Sequence, residues 1–141
     1  MRKFTYSVAI VAIALTLGLQ TSFADSAKVR AAQEAAEEWL ALVDAGDYDA
    51  SWDETSSFFK SQVSKDAWRR QVAKARGPYG AVKSRKVAGS QYATELPNAP
   101  DGEYVIFQYL AAFEKKSKAV ETITPMLDAD GKWRVSGYYI R

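Results

Sequence analysis

Apolar residues along this chain follow two regimes that meet near Gly77-Pro78. Before that point they recur at steps of three and four. After it they alternate, or run together, between turn residues. Val29, Ala32, Ala36, Trp39, Leu40 and Val43 make one face of an amphipathic helix. Asp25 or Ser26 is placed to cap its start, and Gly46 to stop it. Asp47 is placed to cap a short second helix carrying Tyr48 and Trp52. Ser64 opens a third, on which Trp68, Val72 and Ala75 share a face until Gly77-Pro78 ends it.

The second half reads as four strands. The first runs from about Val82 to Leu96, with Gly89 marking a bend or bulge. The loop Pro97–Gly102 leads into Glu103–Glu114, whose apolar residues on both faces suit a covered central strand. Lys115-Lys116-Ser117 turns into a strand from Lys118 to Leu127. Asp128-Ala129-Asp130-Gly131 is a hairpin signal, and the last strand covers Lys132 to Ile140. Pro125 cannot donate to a ladder, so its strand needs a bulge there or must leave the sheet. Helices first and an antiparallel meander afterwards define an α+β class, with the helices on one sheet face.

The N-terminus changes the picture in another way. Arg2 and Lys3 precede the apolar run Val8–Leu19, and Ser22-Phe23-Ala24 closes the segment before Asp25. This is the pattern of a secretory signal peptide cleaved after Ala24. The expectation is therefore a signal peptide over residues 1–24 and a single domain over 25–141, exported to the periplasm or fully secreted. The run falls short of the roughly 20 apolar residues of a membrane span, so no membrane association is expected after cleavage.

Lys+Arg number 19 against 17 Asp+Glu in the whole chain, and the surplus is Arg2 and Lys3. The mature domain is then nearly neutral, which argues against nucleic acid as a partner. With no Cys and no His, disulfides, thiol nucleophiles, the usual zinc sets and Ser-His triads are excluded. A packed core must hold the fold, and any chemistry rests on carboxylates, Tyr, Lys, Arg or Ser. No cofactor is implied.

A set of segments carries a family resemblance. They are Trp39-Leu40, Val43-Asp44, Gly46-Asp47-Tyr48, Ser51-Trp52, Phe59-Lys60, Val63-Ser64 and Trp68, then Arg76-Gly77-Pro78-Tyr79-Gly80 with Ser84-Arg85. Leu96-Pro97, Pro100–Tyr104, Glu121-Thr122 and Asp130–Val135 leading to Gly137-Tyr138 complete them. In this order the chain resembles the secreted bacterial domain of unknown function, family 4019. The resemblance implies a cone-like fold of the nuclear transport factor 2-like and cystatin-like group. In that group a curved four-stranded sheet wraps around helices and can enclose a pocket. It carries no catalytic residues across, and the fold hosts enzymes and binding modules alike.

Six residues are candidates for binding a ligand: Arg76, Arg85, Glu103, Tyr104, Glu121 and Tyr138. Arg76 and Arg85 flank the Gly-Pro-Tyr-Gly turn and could grip an anion. Glu103, Glu121, Tyr104 and Tyr138 could face one space, where a carboxylate beside a tyrosine can move a proton. The structural alternative is stronger for each. Glu103 and Glu121 would pair with Arg85 or Arg134 across the sheet, and Arg76 would serve its own helix end. Asp44, Asp47, Asp49 and Asp53 match no calcium-loop spacing, so no metal is expected. Ser57–Lys60 has Ser-x-x-Lys spacing without its companion motifs and is set aside. The four tryptophans are read as core.

The leading functional expectation is an exported, non-catalytic binding module for a small molecule or protein. One alternative is an interaction module that dimerises or docks through the open sheet face. The other is a small acid–base enzyme on Glu103, Glu121 and Tyr138.

Overall fold

The computed structural model describes residues 25–141 in full and traces the backbone of the first helix from Thr5. The signal-peptide reading of residues 1–24 therefore rests on side chains outside the described residues. Among the described residues, no helix is long and apolar enough to cross a membrane.

Among the described residues, four α-helices and a 3-10 turn at Gly77–Tyr79 precede four strands. They are α1 (Thr5–Asp44), α2 (Tyr48–Asp53), α3 (Ser57–Gln62) and α4 (Lys65–Arg76), then β1 (Val82–Ala93), β2 (Tyr104–Phe113), β3 (Lys116–Leu127) and β4 (Trp133–Ile140). The chain stops and starts its helices with short polar residues. Side chains of Asp47, Ser56 and Ser64 accept hydrogen bonds from the backbone N–H groups of Ala50, Phe59 and Ala67. Gly46, at φ +77°, closes α1. The N–H of Gly46 bonds to Val43 O at 3.0 Å, and that of Asp47 to Leu42 O at 2.9 Å. Asp25 and Ser26 do not cap α1, because the helix passes through them. The sequence from Leu19 to Ala45 holds no Gly or Pro to interrupt it.

The strands form one antiparallel sheet in the order β1-β2-β3-β4. Register shifts fall between Val87 and Gly89 and between Ile123 and Pro125, so the glycine and the proline each sit at a local irregularity. The β2–β3 turn is tighter than the lysine-rich sequence suggests, with Phe113 paired to Lys116.

Alternation along β2 puts Val105, Phe107, Tyr109, Ala111 and Phe113 on the inner face, all buried. Val105, Phe107 and Tyr109 meet Ala32, Ala36, Trp39, Leu40 and Val43 of α1, and Trp68 and Val72 of α4. The two alanines let the helix lie close to the sheet. Each large side chain so buried stabilises the fold by about 1.5–3 kcal/mol. A second cluster, Ala111, Phe113 and Ala119 with Tyr79, Val82 and Ile140, fills the end of the sheet nearest the β2–β3 turn.

The other face of β2 is not covered as its apolar residues suggested. Gln108 and Leu110 are exposed there, Leu110 by 46%, and Tyr139 of β4 by 62%. Helices pack on the inner face alone; on the outer face Tyr104 and its partner Met126 are buried at the start of β2, and the face is open farther along, around Gln108 and Leu110.

Candidate functional site

Between the two apolar clusters of the inner face lies an ionic network. Its centre is Arg85 on β1. The cross-strand register runs Arg85 to Ala111 and Ala111 to Ala119, while Glu121 stands opposite Tyr109. The small side chain of Ala111 leaves Arg85 room to reach across β2 to Glu121. Arg85 Nε donates to Glu121 Oε1 at 2.6 Å and Nη2 to Oε2 at 3.3 Å. The same guanidinium donates from Nη1 to Asp44 Oδ2 at 2.7 Å and from Nη2 to Oδ1 at 2.9 Å. One arginine thus holds two carboxylates, each through two bonds.

Arg76 and Tyr138 complete the set. Arg76, in the last turn of α4, donates from Nη2 to Asp44 Oδ1 at 2.8 Å, and its guanidinium lies 4.8 Å above the Phe113 ring. The Tyr138 hydroxyl donates to Glu121 Oε2 at 2.5 Å. Its ring sits 5.3 Å from that of Trp39 and 6.4 Å from that of Trp68. The indole N–H groups of both tryptophans end on the buried Ser51, at its carbonyl and its hydroxyl.

Two cations face two carboxylates, so the network carries no net charge. Glu121 has no exposed surface and Arg76 is 5% exposed. Burial works against ionisation of Asp44, but hydrogen bonds from Arg85 and Arg76 outweigh it and hold the carboxyl below the usual aspartate range. Burial likewise disfavours the charge on Arg85, yet its bonds to Asp44 and Glu121 raise its proton affinity above that of a free arginine. The Tyr138 phenol is pushed upward by burial first, then by the charge of Glu121. Chemically, the carboxylates of this set are fully engaged, while Arg76 Nε and the neighbouring Tyr109 hydroxyl are buried without a hydrogen-bond partner among the described residues.

Four of the six candidate residues, Arg76, Arg85, Glu121 and Tyr138, therefore meet, while Glu103 and Tyr104 do not join them. Glu103 precedes Tyr109 by six residues, about 20 Å along the strand direction. There it accepts from Lys28 Nζ at 2.6 Å and from the Tyr92 hydroxyl at 2.7 Å. The bond from Lys28, then that from Tyr92, lowers the Glu103 pKa. Tyr104 is buried, and its hydroxyl donates to Pro100 O. Arg134 pairs with Asp128 and Asp130 rather than with either glutamate.

Asp44 is the member that sequence reasoning missed. Proximity in the chain groups it with Asp47, Asp49 and Asp53. Yet it follows Leu40 by four residues, on the helix face that points at the sheet. Asp49 instead pairs with Arg69. No set of three or more metal-ligating side chains forms among the described residues. Ser57 and Lys60 are also occupied apart from each other. The Ser57 hydroxyl bonds to Asp128 and the Lys60 ammonium to Asp53 O.

A groove lies on the opposite side of the sheet, at the end near the β2–β3 turn, with a volume of about 620 Å³. Leu110, Ala112 and Val120 provide apolar lining, and Lys86, Lys116, Lys118 and Arg141 provide cations. Among the described residues, no Asp or Glu side chain lines it.

The fold defines an α+β domain with helices on one face of an open antiparallel sheet. The chain belongs to the family described as Protein of unknown function (DUF4019), whose model matches residues 35–138. No curated protein and no solved structure matches the chain.

Proposed function

We propose that this is an exported, non-catalytic binding module whose ligand sits on the outer face of the sheet. The observation that carries the reading is the contrast between the two faces. On the inner face Arg76 and Arg85 are held by Asp44 and Glu121. On the outer face a concave groove bears four cations, and none of them is ion-paired among the described residues. Its volume falls within the range of about 300–1,000 Å³ typical of small-molecule sites. The separation of Glu103 from Glu121, and the burial of Glu121 beneath Arg85 and Tyr138, weigh against the acid–base alternative.

Native mass spectrometry of the protein purified from the periplasm, after expression with its own N-terminus, tests both halves of this reading. The expected polypeptide begins at Asp25 and carries an added small mass that is lost on denaturation. A polypeptide retaining residues 1–24 would remove the export half. A ligand-free dimer would favour the alternative in which the exposed Leu110 and Tyr139 face meets a second copy.

A further inference from the structure

We infer that the outer-face groove takes an amphiphilic organic anion: a single hydrocarbon chain or ring body bearing one carboxylate or similar anionic head. This rests on the reading of the groove as the ligand site and adds the ligand's chemistry.

The register supplies the geometry. Lys86 of β1 stands opposite Leu110 of β2, and Leu110 opposite Val120 of β3. Val120 exchanges both backbone hydrogen bonds with Arg141, at 2.9 and 3.1 Å. One row across the sheet therefore reads cation, apolar, apolar, cation, and spans three strand spacings, about 14 Å. Ala112 lies two residues beyond Leu110 on the same face and widens the apolar floor towards the turn. Lys118, two residues before Val120, extends the cationic rim in that direction. Lys116 leans over the Tyr79 ring at 5.1 Å and stays at the groove's margin.

Each half of the ligand follows from one half of that row. Leu110 is 46% exposed, so an apolar body laid on Leu110, Ala112 and Val120 would remove hydrocarbon from water on both sides. Cross-strand neighbours on a sheet usually neutralise one another with opposite charges. Here Lys86, Lys118 and Arg141 have apolar neighbours instead, and among the described residues no Asp or Glu side chain borders the groove. An anionic head would supply the missing partner, with the low polarity of the floor strengthening the pair. A purely polar anion would leave the floor wet, and a neutral hydrocarbon would leave the cations unmatched. Flexible lysine stems suit a head of variable shape better than a fixed fork would.

Octanoate, 1-octanol, acetate and citrate separate these contributions. Each is titrated below micelle-forming concentration into the isotope-labelled protein while backbone amide signals are followed. Octanoate should move the signals of Leu110, Ala112 and Val120 saturably, and bind at least about tenfold tighter than octanol or acetate. The double variant Lys86→Glu with Lys118→Glu should lose about tenfold or more in octanoate affinity while its melting temperature holds.

Equal binding of octanol and octanoate would overturn the inference, because the cations would then play no part. Citrate moving the groove signals while octanoate does not would overturn the ligand class yet keep the groove as the ligand site. Co-sedimentation with anionic phospholipid vesicles but no saturable octanoate binding would also overturn it, assigning the face to a membrane surface. If none of the four compounds and no vesicle moves these signals, the reading of the groove as a site fails as well.

Discussion

Arg85 shows how much one residue can organise. Its guanidinium uses three nitrogens to bind carboxylates from α1 and β3, so it joins helix to sheet as well as strand to strand. Desolvating such a group is costly, and the cost is met only while both partners stay in place. Arg85→Met should therefore destabilise the protein by about 3–5 kcal/mol, since it leaves Asp44 and Glu121 buried and short of a cation. Adding Glu121→Leu should recover part of that loss and leave the Asp44–Arg76 pair intact. Urea denaturation of the wild type, both single variants and the double variant would measure the coupling. Simple additivity would mean that the two side chains do not act together.

Asp44 gives the same network a pH signature. Its folded-state pKa lies below the ordinary aspartate value of 3.8, so its ionised form favours folding. That contribution is complete above the unfolded pKa and is lost as pH falls from there through the folded pKa. Melting temperature should thus fall as pH drops below about 4, and Asp44→Asn should flatten that limb while lowering stability at neutral pH. An unchanged acid limb in the variant would place the sensitivity elsewhere, among Asp49, Glu103, Asp128 and Asp130, which are also held low.

At the scale of elements, caps and turns carry testable weight. Gly46 ends α1 at φ +77°, and a Cβ added there would meet no atom within 4 Å. Gly46→Ala should cost about 1–2 kcal/mol from backbone conformation alone. Ser56→Ala should remove the cap of α3 for about 1 kcal/mol, read as a shift in the denaturation midpoint. These elements also show what could be read in advance. The stop at Gly46, the cap at Ser64 and the irregularities at Gly89 and Pro125 depend on local backbone chemistry, which sequence displays directly. α2 and α3 are equally short, but Tyr48 and Trp52 of α2 are four residues apart behind an Asp cap, whereas the adjacent Phe58 and Phe59 of α3 show no helical period. Four of six candidate site residues converged, since arginines near a turn and glutamates on strands have few ways to be buried. Glu103 failed to join them because strand length separates its end of β2 from the network, and periodicity alone does not report which end of a strand meets which helix.

For the molecule as a whole, the contrast between the faces matters most. Inner-face charges are locked into the fold, whereas Lys86, Lys118 and Arg141 make no ion pair among the described residues. Lys86→Glu and Lys118→Glu should each change unfolding free energy by no more than about 0.5 kcal/mol, as ordinary surface substitutions do. Calorimetry would check this, and a large loss would reveal a structural duty for these lysines. The open face also lets the sheet present apolar and cationic side chains together without disturbing the helical side.

The sequence separation within the inner network has a kinetic consequence. Asp44 and Arg85 are 41 residues apart, Arg85 and Glu121 36, and Arg76 and Tyr138 62. No pair in it is local, and Tyr138 arrives on the last strand. Loop closure of that order must precede any reward from the contacts, so the network should form after the folding barrier is crossed. Tyr138→Phe should then accelerate unfolding while leaving the folding rate nearly unchanged, visible as a shift in one arm of the chevron. The charges at the heart of this fold would act as a latch, setting how long the native state lasts once β4 has docked.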